Sequence, residues 1–443
     1  MNRAERRRAK KAGIPVKKEP VVNIKAADVQ KIKALVDEKA DKFVNVANQV
    51  WSTPELGFKE EKSAAALIAA LESEGFKVTT GLAGIPTAFV GVWGEGHPAI
   101  ALLGEFDALP SLSQEAGNDV HTPICEGGNG HGCGHNLLGA GSLAAAVAVK
   151  DYMEQNGIKG SVHYFGCPGE EFGCGKMFMA RAGAFDGIDA AFTWHPSNLN
   201  SVWGVSSLAN NSIYYKFKGR TSHAAASPHL GRSALDACEL MSVGCNYLRE
   251  HIIPEARLHY AYRDVGGSAP NVVQDHACVN YFIRAPKITQ VLELIERVND
   301  VARGAALMTG TELEIQISDG LCDYQPNTVL SKALSDAFLA TGAPEFDDAD
   351  RALAAQFRKG YSDDEVEASL KRLSPQYTPE QIDTYRTAPL VEEVAPFVKT
   401  DYVQPGSTDV GDVSYACPTA QLNAACYANG TPGHSWQVTA QCG

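Results

Sequence analysis

Three times in its first half the chain runs from a short apolar stretch into ionisable residues. Ala99-Ile100-Ala101-Leu102-Leu103 leads to Glu105 and Asp107, Val162 to Phe165 leads to Glu170-Glu171, and Ala190-Ala191-Phe192-Thr193-Trp194 leads to His195. Between the first two lies Leu137 to Met153, Ala-rich and helical in character, with a Gly-rich approach. Strands alternating with helices predict an α/β domain, and such domains place ligands at the carboxyl ends of their strands. The ionisable residues sit where that rule wants them. Upstream, Ala27 to Leu71 has apolar residues at helical spacing, interrupted at Trp51-Ser52-Thr53-Pro54. Proline disfavours helix for the residue before it, so two helices joined by a loop are expected.

From about Ser206 to Gln325 the style changes. Ser212 to Lys218, Ala277 to Ile283 and Glu312 to Ser318 read as strands, with helical stretches Ser233 to Arg249 and Ile288 to Leu307 between them. Two helices on a small antiparallel sheet make a separate α+β domain. A chain of 443 residues is too long for one ordinary core. The expected division is a tail over 1–21, a catalytic part over 22–205, the α+β domain over 206–325 and a second catalytic part over 326–443. Within the last, about 344–397 is charged and Pro-punctuated, as a helical surface insertion would be.

Charge and cysteine usage narrow the setting. The net charge of −13 repels anionic partners, so a carboxylate must be recognised by local Arg or backbone groups. The basic run Arg6-Arg7-Arg8-Ala9-Lys10-Lys11 lacks an apolar neighbour and reads as a solvated, disordered tail, neither secretory signal nor nucleic-acid arm. No apolar stretch is long enough to span a bilayer. Eleven cysteines, an odd number with no CxxC pair, indicate free thiols in a reducing compartment, the cytoplasm.

The strongest chemical signal is His131-Gly132-Cys133-Gly134-His135. In an extended chain alternate residues share a side, so His131, Cys133 and His135 could converge. Thiolate and imidazole are ligands that a zinc-like ion prefers. The plain alternative is a Gly-rich loop with incidental His and Cys. Glu170-Glu171 can divide labour, one carboxylate on metal and the other handling protons, or simply complement a helix N-terminus. His195 and His434 are each weak alone. Together these positions supply enough thiolate, imidazole and carboxylate for two ions, which would activate a water for attack on an amide.

These motifs resemble those of the amidohydrolase branch of the aminoacylase and carboxypeptidase G superfamily of metallopeptidases. The resemblance runs through Pro54-Glu55-Leu56-Gly57-Phe58, Glu105 to Pro110, Gly130 to Asn136, Gly169-Glu170-Glu171, Trp194-His195-Pro196, Ser222-His223-Ala224-Ala225, Asn271-Val272-Val273 and Pro432-Gly433-His434. It extends to the long runs Gly166 to Glu171, Ser227 to Ala237 and Ser407 to Val413.

The resemblance implies an α/β metallopeptidase domain with an inserted α+β lid and dimerisation domain. It implies Cys133, His135, Glu171, His195 and His434 as metal ligands, with Cys133 where other members have a bridging aspartate. Glu170 becomes the general base and Asp107 the residue that orients His135, so His131 need not bind metal. His223 matches a lid histidine that relatives place across the dimer to stabilise the oxyanion, and Asn271 could hold the substrate carbonyl or carboxylate. Arg284 is the expected partner of a substrate α-carboxylate, because guanidinium pairs bidentately.

The implied reaction is hydrolysis of an aryl- or acyl-amino acid amide with two divalent ions, zinc or manganese. The first-choice substrate is p-aminobenzoyl-glutamate, a folate breakdown product, and the second an N-acyl or indoleacetyl amino acid. The rival reading is a non-catalytic partner subunit of the same fold. The expected assembly is a homodimer, or a heterodimer with a homologous subunit, without nucleic acid or membrane. Two departures stand out. Glu105-Phe106-Asp107 replaces the HxD pattern of many members, and Gly443 stops short of a helix that usually follows the motif around His434, leaving that segment poorly anchored.

Overall fold

A computed structural model describes residues 24–371 and 377–443. The basic tail expected over 1–21 lies outside the described residues. The first sheet is built from β1 Lys77–Thr80, β2 Phe89–Glu95, β3 Ala99–Glu105, β4 Gly160–Cys167, β5 Ala190–Ser197, β6 Ser201–Val202 and β13 Thr419–Ala425. These seven strands lie in the order β1-β2-β4-β3-β5-β13-β6. β4, β3, β5 and β13 run parallel, while β1, β2 and β6 pair antiparallel. The carboxyl ends of the four parallel strands therefore share one edge. β7 Ser206–Ser207 and β12 Val403–Gln404 form a separate two-stranded ladder.

The expected two N-terminal helices are three: Ala26–Glu38, Ala40–Ser52 and Glu61–Ser73. The chain breaks at Lys39 as well as at Pro54, and Lys39 leaves helical geometry with a ψ of 10°. Helix His135–Asn156 crosses from β3 to β4 and packs on the sheet beside them. Phe43, Val50, Leu67, Leu71, Phe89, Phe106, Leu143, Val147 and Tyr164 make the core between these helices and the sheet. On the other face Leu103, Phe165, Met179, Phe185, Ala191 and Val413 form a second core. Helices on both faces explain why the central strands read as continuous apolar runs rather than alternating ones.

The second sheet is antiparallel and holds β8 Ala209–Lys218, β9 Arg257–Asp264, β10 His276–Ala285 and β11 Glu312–Leu321. Its strand order is β11-β8-β10-β9. Helices Ala234–Leu248 and Ile288–Thr309 cover one face through Met241, Cys245, Leu294, Val298 and Ala302, against Ile213, Tyr215, Val279 and Tyr281. β9 escapes sequence reading because seven of its eight residues are exposed and only Leu258 is buried. No helix among the described residues is long and apolar enough to cross a membrane. Between β11 and β13 lie helices Thr328–Thr341, Asp348–Arg358, Asp363–Lys371, Pro379–Tyr385 and Val410–Ala416.

Candidate metal centre at the strand ends

The parallel strands deliver the site. β3 ends on Glu105, with Asp107 two residues beyond. After β4 the Pro168-Gly169 turn, with Gly169 at φ +68°, sets Glu170 and Glu171 at the start of a four-residue helix. His195 lies near the end of β5, and the loop beyond β13 carries His434. The stretch from His131 to Gly134 is a turn. Gly134 sits at φ +76°, and a Cβ there would approach Pro196 to 3.0 Å, so a side chain would force the turn away from β5. His135 follows as the first residue of its helix.

These side chains converge. Cys133 Sγ lies 3.2 Å from His195 Nε2, and His434 Nε2 lies 3.4 Å from Glu171 Oε2. His135 Nε2 is 4.0 Å from Glu171 Oε1. The donor atoms of Cys133, His135 and His195 all fall within 4.8 Å of one another, and so do those of Cys133, Glu171 and His434. Cys133 is common to both groups. Glu105, His135 and Glu170 form a third such group.

Asp107 orients the centre from behind. Its Oδ1 meets His135 Nδ1 at 2.9 Å, and its Oδ2 accepts from the Glu171 amide at 2.9 Å. His135 Nε2 is thereby directed at the cluster. Both it and Glu171 Oε1 are buried without a hydrogen-bond partner, although Glu105 Oε2 stands 3.2 Å from the imidazole nitrogen without the alignment a bond requires. Buried polar atoms without partners are rare and need a reason. A thiol, imidazoles and carboxylates with orphaned donor atoms fit a divalent ion.

The electrostatics agree. Burial works against a charged His135, but the Cys133 and Asp107 acids around it raise its pKa well above the usual imidazole value. The pocket thus favours positive charge at that ring, which a cation would supply in place of a proton. Burial pushes the Cys133 thiol up, so only a cation beside it would hold the thiolate. Burial, then the charges of Glu105, Glu171 and Asp409, raise Glu170 well above the carboxylate range. His195 is pushed down to about 4 by burial and then by His135.

His131 does not join the cluster. Alternation applies only to extended backbone, and in the turn its Nε2 faces the Val50 carbonyl at 3.1 Å. Two other residues escaped the sequence reading. Lys176 is completely buried, with Nζ 2.6 Å from Glu105 Oε1 and 2.7 Å from Asp409 Oδ1. Its only sequence signal is a lysine inside the otherwise apolar stretch Gly175–Ala180. Glu60, also buried, accepts from the Gly169 amide at 2.8 Å and so holds the turn before Glu170.

The lid residues stand apart from this cluster. His223 and Asn271 are exposed neighbours, joined by the bridge from His223 to Val272 and by the Ala224 amide donating to the Asn271 carbonyl at 3.0 Å. The Ala225 and Ala226 amides donate to His223 Nδ1 at 3.2 and 3.1 Å, which leaves Nε2 as the proton-bearing nitrogen of a neutral ring. No hydrogen bond or ion pair among the described residues ties either one to Cys133, His135 or Glu171. Arg284, on β10, is half-buried and makes no ion pair among the described residues; its Nη1 donates to Ser407 Oγ at 3.3 Å. The His434 segment is better anchored than its sequence suggests. Trp51 Nε1 donates to the Thr439 carbonyl at 2.9 Å, and Asn136 Nδ2 to that of Cys442 at 2.8 Å.

A mixed α/β sheet whose strand ends gather a thiol, imidazoles and paired carboxylates defines a metal-dependent hydrolase. Comparison with known proteins gives its family. Residues 101–327 match peptidase family M20/M25/M40. The chain is 46% identical over 420 residues to one of the subunits of the p-aminobenzoyl-glutamate hydrolase of Escherichia coli, covering 93% of this chain and 87% of that one. It is 31% identical to the Xaa-Arg dipeptidase of Mus musculus, over 69% of each chain. The fold is shared with a dinuclear metal binding M20 peptidase of Bacillus subtilis, at a TM-score of 0.55 and 17% identity, covering 93% of this chain and 96% of that one. The chain belongs to peptidase family M20/M25/M40 and has its fold, a mixed sheet flanked by helices with a second, smaller sheet domain.

Proposed function

We propose that this hydrolase cuts the amide bond of p-aminobenzoyl-glutamate, releasing p-aminobenzoate and glutamate. The observation that carries the substrate is the 46% identity, over nearly the whole chain, to a hydrolase named for it. The observation that carries the chemistry is the pair of donor groups sharing Cys133. Cys133, His135, Glu171, His195 and His434 would hold two divalent ions, with Cys133 between them. The thiolate favours zinc, with manganese second. When bound, the ions would polarise the substrate carbonyl and lower the pKa of the attacking water toward neutrality.

The chain's own groups do the rest. Glu170, half-buried and surrounded by acids, accepts the water proton and passes it to the leaving aryl amine nitrogen. Asp107 fixes the His135 tautomer through Nδ1. His223 donates from Nε2 to the developing oxyanion, reaching the centre from the partner of a dimer built through the domain over 206–325. Asn271, next to it, holds the substrate carbonyl or carboxylate. Arg284 pairs with the glutamate α-carboxylate, and its lack of an acidic partner supports that role. The 11 free thiols suit the cytoplasm.

The test is hydrolysis of p-aminobenzoyl-glutamate by chelator-treated protein, with zinc or manganese added back, beside Glu170→Ala. Restored activity, reduced about 10²–10⁴-fold in the variant at unchanged metal content, is the expected result. A protein that retains no metal sinks the chemistry. Full metal without turnover of this amide sinks the substrate.

A further inference from the structure

His434 differs from the other four proposed ligands. Its side chain is 59% exposed, against 5% or less for His135 and Glu171, and its backbone holds a left-handed φ of +54°. It rides on a loop between β13 and helix Trp436–Gln441 and touches the cluster through one 3.4 Å approach to Glu171. Its position therefore depends on what fixes the loop. Downstream, Ser435 Oγ caps the helix by accepting from the Val438 amide. Upstream, residues 428–431 are gripped by the charged helical segment before β12.

The grip is dense and polar. Arg358 Nη1 donates to the Asn429 carbonyl at 2.8 Å, while its Nη2 donates to the Arg386 carbonyl. Tyr361 Oη meets Thr431 Oγ1 at 2.8 Å. The Asn429 amide donates to the Pro389 carbonyl at 2.8 Å and its Nδ2 to that of Tyr385 at 2.6 Å. Gly430 lies so close that a Cβ would meet Val366 at 3.2 Å. Beneath them Ala354, Phe357 and Leu390 pack with Ala428 and Ala440. The same segment also grips the chain just after His195. Asn198 Nδ2 donates to Ser369 Oγ at 2.7 Å, and Asn200 Nδ2 donates to the Val391 carbonyl at 2.8 Å. Asn200 Oδ1 in turn accepts from the Ala425 amide at the end of β13 at 2.8 Å.

We propose that the described residues over 346–371 and 377–395 brace the metal centre, and that Arg358 and Tyr361 are positioning residues that hold His434 against Glu171. Described residues of this one segment hold the chain both just after His195 and just before His434. Acting through a loop three residues from the ligand, the clamp governs one ion of the pair, that bound by His434. This inference rests on the reading of His434 as a ligand.

The experiment uses the full chain loaded with zinc, and follows release of the two ions to a colorimetric chelator, with cobalt-loaded spectra as a second readout. Arg358→Ala, Arg358→Lys, Tyr361→Phe and His434→Ala are compared with the native protein, each checked by circular dichroism. His434→Ala releases one ion fast and keeps the other. Arg358→Ala is expected to speed release of that same ion by about tenfold or more, the scale seen for residues that support metal ligands. Arg358→Lys, which keeps one donor, falls between. Cobalt spectra should change in one band set only. If Arg358→Ala fails to fold, Tyr361→Phe, which removes a single hydroxyl, decides in its place. Release of both ions at native rates from the braced-loop variants, with His434→Ala fast, overturns the brace alone. Equal acceleration of both ions also overturns it, because that is general loosening. Native behaviour of His434→Ala overturns the ligand assignment and the brace with it.

Discussion

Lys176 shows how much one buried charge decides. Glu105 and Asp409 are as deeply buried as the lysine between them, and neither has another cation within ion-pair reach among the described residues except the His135 ring beside Glu105. Removing one member of a buried charge network leaves the others uncompensated, at a cost of about 3–5 kcal/mol. Lys176→Met should lower unfolding free energy by that amount in urea titrations. Adding Asp409→Asn to it should recover part of the loss, since one fewer carboxylate is stranded. Glu60 offers a pH test. Burial, and then the charge of Asp107, push its carboxyl up to about 7 from the ordinary 4.5. Folding therefore favours the protonated form: that contribution is whole below about pH 4.5 and is lost as pH rises through 7. Glu60→Gln keeps an acceptor for the Gly169 amide and cannot ionise. It should be more stable than the native protein at pH 8, by up to about 3 kcal/mol, and no more stable at pH 4.5.

At the scale of elements, the turn before helix His135–Asn156 carries the site. Gly134 adopts φ +76°, and a Cβ there would come within 3.0 Å of Pro196 and 3.3 Å of Cys442. Gly134→Ala should cost more than about 1 kcal/mol, because the backbone conformation is strained for any L side chain and the added methyl meets β5. The loss should appear together with weaker zinc retention, since the turn places both Cys133 and His135. Chemical denaturation beside chelator competition measures both. A stable variant that binds zinc like the native protein would show that the turn tolerates displacement.

For the whole molecule, His223 is the residue whose work depends on assembly. No hydrogen bond or ion pair among the described residues ties it to the cluster, whereas the helices of its domain expose Leu240, Val243, Tyr247, Leu307 and Met308. Exposed apolar side chains on a domain's helices suit a partner. If His223 serves the partner's centre, His223→Ala should lose about 10²–10³-fold in kcat at full metal content. Mixing refolded His223→Ala with Glu170→Ala should then restore activity, because mixed dimers contain one site with both native residues. Mixtures no more active than their components would place His223 in its own site or outside catalysis.

Much of this was readable from sequence for a definite physical reason. Central strands buried on both faces must be apolar, so β3, β4 and β5 announced themselves, and parallel strands bring their carboxyl ends to one edge, so Glu105, Glu171 and His195 pointed to a site. The matched motifs added His434, 239 residues beyond His195. β9 is mostly exposed and keeps a single buried side chain, Leu258, while β1 and β13 are too mixed in composition to stand out. The turn that removes His131 from the cluster sets its ring against the Val50 carbonyl, 81 residues away, a contact made only after folding. The Lys176 ion pairs and the grip of Arg358 on the His434 loop join residues from distant parts of the chain, 71 apart in one case. Periodicity and motifs report what each residue's own neighbours require. Which distant charge a buried lysine meets, and which loop a surface helix holds, is settled by packing in three dimensions.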